Sequence, residues 1–127
     1  MEVKLWCKHA AEGLDQARAD ALIDVCTGII ADTPIDTGLA RGNWQSSLGE
    51  AKTDKVLLIP TMVAINEVIS VVKSMKGDET FVLRNNLPYA TRLEFGWSKQ
   101  APVGMVRKNV QRWNSAVGKA AARARAL

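Results

Sequence analysis

The sequence holds little of what catalytic and metal chemistry most often needs. Among 127 residues there is one histidine, His9, and there are two cysteines, Cys7 and Cys26. A zinc site wants about four nitrogen or sulfur ligands at compact spacing, and these three candidates do not supply one. The cysteines form no C-x-x-C pair, and a disulfide is disfavoured in a reducing cytoplasm. A Ser/His/Asp triad would have to use His9. Neither a Gly-x-Ser-x-Gly elbow nor a Gly-x-x-x-x-Gly-Lys-Ser/Thr phosphate loop occurs. No apolar run reaches the length of a membrane span. The opening Met-Glu-Val-Lys-Leu-Trp lacks the apolar core of a signal peptide. The expectation is a cytoplasmically made protein with no membrane association, no cofactor, no metal and no catalytic residues, and so not an enzyme.

What is present fits a single domain, residues 1–127, able to bury a core without staples. An apolar share of 47% against 24% charged is that of an ordinary globular protein. The net charge of +4 conceals an asymmetry. Lys99, Arg107, Lys108, Arg112, Lys119, Arg123 and Arg125 follow one another with no acidic residue among them, while the rest of the chain carries a net −3. A basic tail on an acidic body suits a polyanion or an acidic neighbouring surface, and the blander alternative is a solvated helix face.

Periodicity places the elements of an α+β fold. Leu14, Ala17, Ala21, Leu22, Val25 and Ile29 recur at spacings of three and four and predict a long N-terminal helix ending near Ala31, ahead of Pro34. Ile23, Cys26 and Ile30 widen its apolar arc to about 200°, more than one core requires; Cys26 reads as core, and Ile23 and Ile30 as possible interface. Residues 33–42 are punctuated by Pro34, Gly38 and Gly42. Strands are expected over 43–48, with Trp44, Ser46 and Leu48 on one face, and over 80–84, with a further short run at 56–59. Residues 61–76 are rich in β-branched side chains, yet their period is helical, with Gly77 as the stop. A helical turn over 89–94, a loop over 96–104 and a basic C-terminal helix from Met105 to the end complete the reading. Val106, Val110, Trp113, Val117 and Ala120 form the apolar line of that last helix.

Asp36-Thr37-Gly38 invites comparison with aspartic proteases, in which two carboxylates share a proton and activate water. That chemistry needs an apolar strand leading into the Asp, and here a helix and Thr33-Pro34 lead in instead. A turn, with Asp36 capping backbone N–H groups and Gly38 at positive φ, accounts for the triplet.

Two longer segments carry more. One is Thr33-Pro34-Ile35-Asp36-Thr37-Gly38-Leu39-Ala40-Arg41-Gly42-Asn43-Trp44-Gln45. The other begins Asn85-Asn86-Leu87-Pro88-Tyr89-Ala90, continues through Leu93-Glu94-Phe95-Gly96-Trp97 and ends at Val106. Together they resemble the lambdoid-type neck and putative tail-component family of double-stranded-DNA bacteriophages, in order, in spacing and in the helix before the first segment. The resemblance implies an α+β structural subunit of the head-to-tail connection, as neck, tail-completion or tail-terminator protein. It implies a homo-oligomeric ring of six or twelve copies in the virion, assembled in the host bacterial cytoplasm against connector, adaptor and tail proteins. Asp36, Thr37, Gly38, Arg41 and Trp44 match the first element, and Asn85, Tyr89, Glu94 and Gly96 the second. The two elements are expected to adjoin, with Arg41 or Arg92 pairing with Glu94 or Asp36. Phe95 and Trp97 are further candidates for an interface. Arg107, Lys108, Arg112, Lys119, Arg123 and Arg125 are candidates for contact with an acidic partner or with double-stranded DNA in the channel. The alternative is a small non-specific DNA-binding module using the basic C-terminal helix.

Overall fold

A computed structural model of the chain describes residues 1–6, 12–35, 39–52, 60–75 and 79–126. Its elements are β1 (Glu2–Trp6), α1 (Glu12–Asp32), α2 (Leu39–Gly42), β2 (Trp44–Leu48), α3 (Thr61–Ser74), β3 (Thr80–Asn85), α4 (Ala90–Glu94), α5 (Val106–Val110) and α6 (Trp113–Ala126). The fold is α+β, with a long helix near the N-terminus, a small antiparallel sheet, a middle helix and a basic C-terminal helical region.

The sheet has three strands in the order β1-β3-β2, both pairings antiparallel. Val3 faces Leu83 across one pairing and Trp44 faces Asn85 across the other. Central β3 is the apolar one: Phe81, Val82 and Leu83 are all fully buried. A strand buried on both faces reads as a continuous apolar run, as here.

Helix α1 packs against α3, α5 and α6. Ala21, Leu22, Val25, Cys26, Ile29 and Ile30 are buried in the main core with Trp44, Val68, Phe81, Leu83 and Met105. This accounts for the wide apolar arc of the helix. Ile30 is fully buried within the subunit and offers no surface to a second one. Ile23 is half-buried and packs against the same core. These three helical neighbours inside one subunit supply the further packing that the arc requires.

Helix α3 forms over its β-branched residues because Ala64, Val68 and Val72 fall on one buried face, and tertiary packing outweighs propensity. Pro60 precedes it, and the Val63 N–H donates to the Pro60 carbonyl at 3.0 Å.

Three features differ from the sequence expectations. The long helix is preceded by strand β1. Residues 39–42, read as punctuation, form the short helix α2. The last helix is two helices, α5 and α6, broken at Gln111 and Arg112. At the break the Arg112 N–H donates to the Asn109 carbonyl, three residues back, at 3.1 Å, so the ladder tightens locally without glycine or proline. The run at 56–59, Gly77, Cys7 and His9 lie outside the described residues.

Candidate functional site

The two motif segments come together at the C-terminal end of α1. Thr33 ends that helix by donating its hydroxyl to the Ile29 carbonyl at 2.7 Å, and the same oxygen accepts the indole N–H of Trp44 at 2.8 Å. Trp44 and Thr33 are both buried, so the pair satisfies polar groups that would otherwise be stranded. Arg41, on α2, reaches back to the carbonyls of Thr33, at 2.7 Å, and Ala31, at 2.5 Å. Those are carbonyls that a helix C-terminus leaves unsatisfied, and a cation also suits the negative end of the helix.

Asn85 fastens the second segment to the first. Its side-chain amide N–H donates to the Ala40 carbonyl at 2.7 Å, and its side-chain oxygen accepts the Leu87 N–H at 3.1 Å. It is fully buried at the end of β3, opposite Trp44 of β2. Further along, Gln100 and Ile35 exchange two hydrogen bonds. The Ile35 N–H donates to Oε1 at 2.8 Å, and the Gln100 amide donates to the Ile35 carbonyl at 2.7 Å. The two segments therefore adjoin, as expected. Asp36, Thr37 and Gly38 lie outside the described residues.

Glu94 is the polar centre of the second segment. It is 1% exposed. One carboxylate oxygen accepts the N–H groups of Met105, at 2.8 Å, and Val106, at 2.7 Å. The other accepts the Arg107 N–H at 3.0 Å and the Arg107 Nε–H at 2.8 Å. The carboxylate thus caps the first turn of α5, where orphan N–H groups and the helix dipole favour an anion. Burial alone would push its carboxyl up, but the three backbone bonds and the Arg107 side chain outweigh it and hold the group below its ordinary range. The guanidinium that Glu94 takes is Arg107, not Arg41 or Arg92. Gly104 makes this possible: it adopts φ +80°, and a Cβ there would run into the Glu94 carbonyl and carboxylate.

No family model, curated protein or solved structure matches this chain. Among the described residues no group of three or more His, Cys, Asp or Glu gathers to hold a metal, and no helix is long and apolar enough to cross a membrane.

The α4–α5 connection carries exposed aromatics on this framework. Phe95 is 63% exposed and Trp97 72% exposed. A guanidinium lies over one face of each: Arg107 at 4.8 Å from the Phe95 ring centre, and Arg92 at 5.0 Å from that of Trp97. Gly96, between them, takes φ +86°. Tyr89 is exposed at the start of α4.

The basic candidates divide. Arg107 is committed to Glu94. Lys108 pairs with Asp32 at 3.3 Å, and Arg112 with Asp24 at 3.4 Å. Burial would raise the Asp32 carboxyl, but the Asn109 amide, Lys108 and Arg112 lower it. Asn109 is the joint of this side: its amide donates to Asp32 at 2.8 Å and to the Met105 carbonyl at 2.7 Å, and its oxygen accepts from Arg112 at 2.9 Å. Lys119, Arg123 and Arg125 are exposed on α6, with no ion pair among the described residues. Sequence reasoning missed the roles of Asn109 and of Arg107 as partner to Glu94. The one available signal was a lone carboxylate ten residues before Gly104.

Proposed function

We propose that this chain is a structural subunit of the head-to-tail connection of a tailed bacteriophage, a neck, tail-completion or tail-terminator protein acting in the virion and not an enzyme. The observation that carries the reading is the joining of the two family-like segments into one hydrogen-bonded unit through Asn85, Gln100 and the β2–β3 register. Segments far apart in sequence form one framework that holds two aromatic rings outward. That suits a subunit whose work is contact. Enzyme sites, in contrast, are concave and draw titratable groups together. Here the buried carboxylate is consumed by backbone N–H groups and one arginine. A ring subunit also needs two different faces that meet head-to-tail.

The test is genetic. In a phage carrying this gene, a stop codon early in the reading frame leaves filled heads and finished tails that do not join. Mass spectrometry of wild-type particles finds the protein at six or twelve copies. Joined, infectious particles without the protein end this reading. The DNA-binding alternative keeps Lys119, Arg123 and Arg125 as its free cations. It requires salt-sensitive binding of a random DNA duplex by the isolated protein, with a slope set by those three charges.

A further inference from the structure

Of the large apolar side chains that stand exposed, Phe95, Trp97 and Val103 lie on the α4–α5 connection, where a Cβ on Gly96 would meet the Pro102 carbonyl, and Ile35 is tied to that connection through Gln100. Single exposed apolar residues need no explanation, but a cluster does. Arg92 and Lys99 are exposed beside them, and the one carboxylate of this connection, Glu94, is buried and paired. A shallow hollow lined by Val103, Arg107, Lys108 and Gln111 continues the surface. Aromatic rings and arginine at the centre of a fixed surface are the composition of protein–protein hot spots. The surface is positive, so its partner is acidic and partly apolar.

The chain itself carries such a partner. From Glu12 to Asp24 its sequence has four carboxylates against one arginine. On the described part of that stretch, Ala19, Asp20 and Ile23 are partly exposed on one side of α1, next to Asp24, which Arg112 already pairs. Asp20 lies twelve residues before Asp32, whose partner Lys108 lines the hollow with Val103, so about 18 Å of helix separates Asp20 from that end of the surface. They cannot meet within one subunit. They can meet between two.

We propose that the Phe95–Trp97 surface of one copy docks on the Asp20–Ile23 strip of α1 in the next, Trp97 against Ile23 and Ala19, with Arg92 and Lys99 facing Asp20. The contact is heterologous, and each copy keeps one unused half, so it propagates until a ring closes. The inference rests on the proposed structural role and names the faces through which that role is exercised.

The experiment uses the purified full chain in sedimentation velocity at rising concentration. Wild type self-associates, and 0.5 M NaCl weakens the association because part of it is ionic. Trp97→Ala and Asp20→Lys each weaken it at least tenfold while circular dichroism is unchanged. Mixed in equal amounts, the two variants form a one-to-one dimer and nothing larger, because each still supplies the face that the other lacks. A wild type that stays monomeric at every concentration overturns the proposal. So does a mixture that behaves as the sum of its parts. If Trp97→Ala instead abolishes binding of an oligo-dT strand and leaves self-association intact, the surface belongs to nucleic acid and the proposal fails. The two readings fail separately. A protein found in particles whose variants do not cross-pair loses only this contact; cross-pairing variants of a gene dispensable for joining heads to tails lose only the phage role.

Discussion

Arg107, Lys108 and Arg112, at and just after α5, each meet a carboxylate from elsewhere in the fold, whereas Lys119, Arg123 and Arg125, further along the chain, stand exposed on α6. In sequence the six look alike. What separates them is the position of α1 and α4. Glu94, Asp32 and Asp24 come from those helices to neutralise the first three. A run of one charge sign in sequence therefore says nothing about free charge until the fold has placed the opposite charges. The first half of the run is structural, tying α5 and its junction to α1. The second half is what remains for a partner or for water.

The largest effect that would break this contrast is at Glu94. Glu94→Ala strands the buried N–H groups of Met105 and Val106 and is expected to cost about 3 kcal/mol, read by urea unfolding. Glu94→Gln keeps one acceptor and is expected to cost about half as much. A loss below 1 kcal/mol in the alanine variant would mean that the α4–α5 junction does not depend on this carboxylate.

Acid sharpens the same point. Folded Glu94 and Asp32 titrate below their ordinary ranges. Groups depressed on folding contribute stability that is complete above their unfolded values, near pH ~4, and lost as the pH falls through the folded ones. Thermal melts from pH 7 to pH 3 should therefore show a steep drop in the wild type below about pH 4. Glu94→Gln should show a shallower one. Equal slopes would show that the carboxylate is not linked to folding.

Gly28 tests how closely the paired half is seated. A Cβ there would fall on the Asn109 side chain and 2.6 Å from the Arg112 guanidinium. Gly28→Ala should cost about 2 kcal/mol by overpacking, despite its better helix propensity. A stabilised variant would mean that α5 can move away from α1 without loss. Smaller again is Arg112→Met, which removes a half-exposed ion pair at 3.4 Å and a bond to Asn109. Its expected cost is about 1 kcal/mol, since solvent screens such pairs.

Much of the fold was legible because its pattern is local. The spacing of Leu22, Val25 and Ile29 marks α1, and the helical period over 61–74 marks α3 against its own propensities. Strand β1 was not anticipated, because an alternation over five residues is a weak signal. The rest depends on distance in sequence. Glu94 has Arg92 two residues away, yet its partner is thirteen residues on, because a residue two along a helix points elsewhere. The break between α5 and α6 has no glycine or proline to announce it; it follows from the fixing of Asn109 and Arg112 against α1. The joining of the motif segments was anticipated, but the atoms that join them, Asn85 to Ala40 and Gln100 to Ile35, were not.

The exposed half of the run gives the smallest effect on stability and the most direct reading of function. Arg123→Glu combined with Arg125→Glu should leave the melting temperature unchanged within error, because surface substitutions away from buried networks rarely matter to folding. Any consequence then belongs to a contact outside the subunit. Under the proposed phage role, if α6 faces an acidic neighbour, reversal places like charges together, and heads and tails fail to join although the protein is folded and present. If it faces DNA in a channel, joining is normal and the change appears in DNA ejection, because phosphate contacts are lost without altering the protein seams. Particles that join and eject as the wild type does would leave α6 a solvated face. The same double reversal at Lys108 and Arg112 is the control: it should lower the melting temperature first, since those charges are already spent inside the fold.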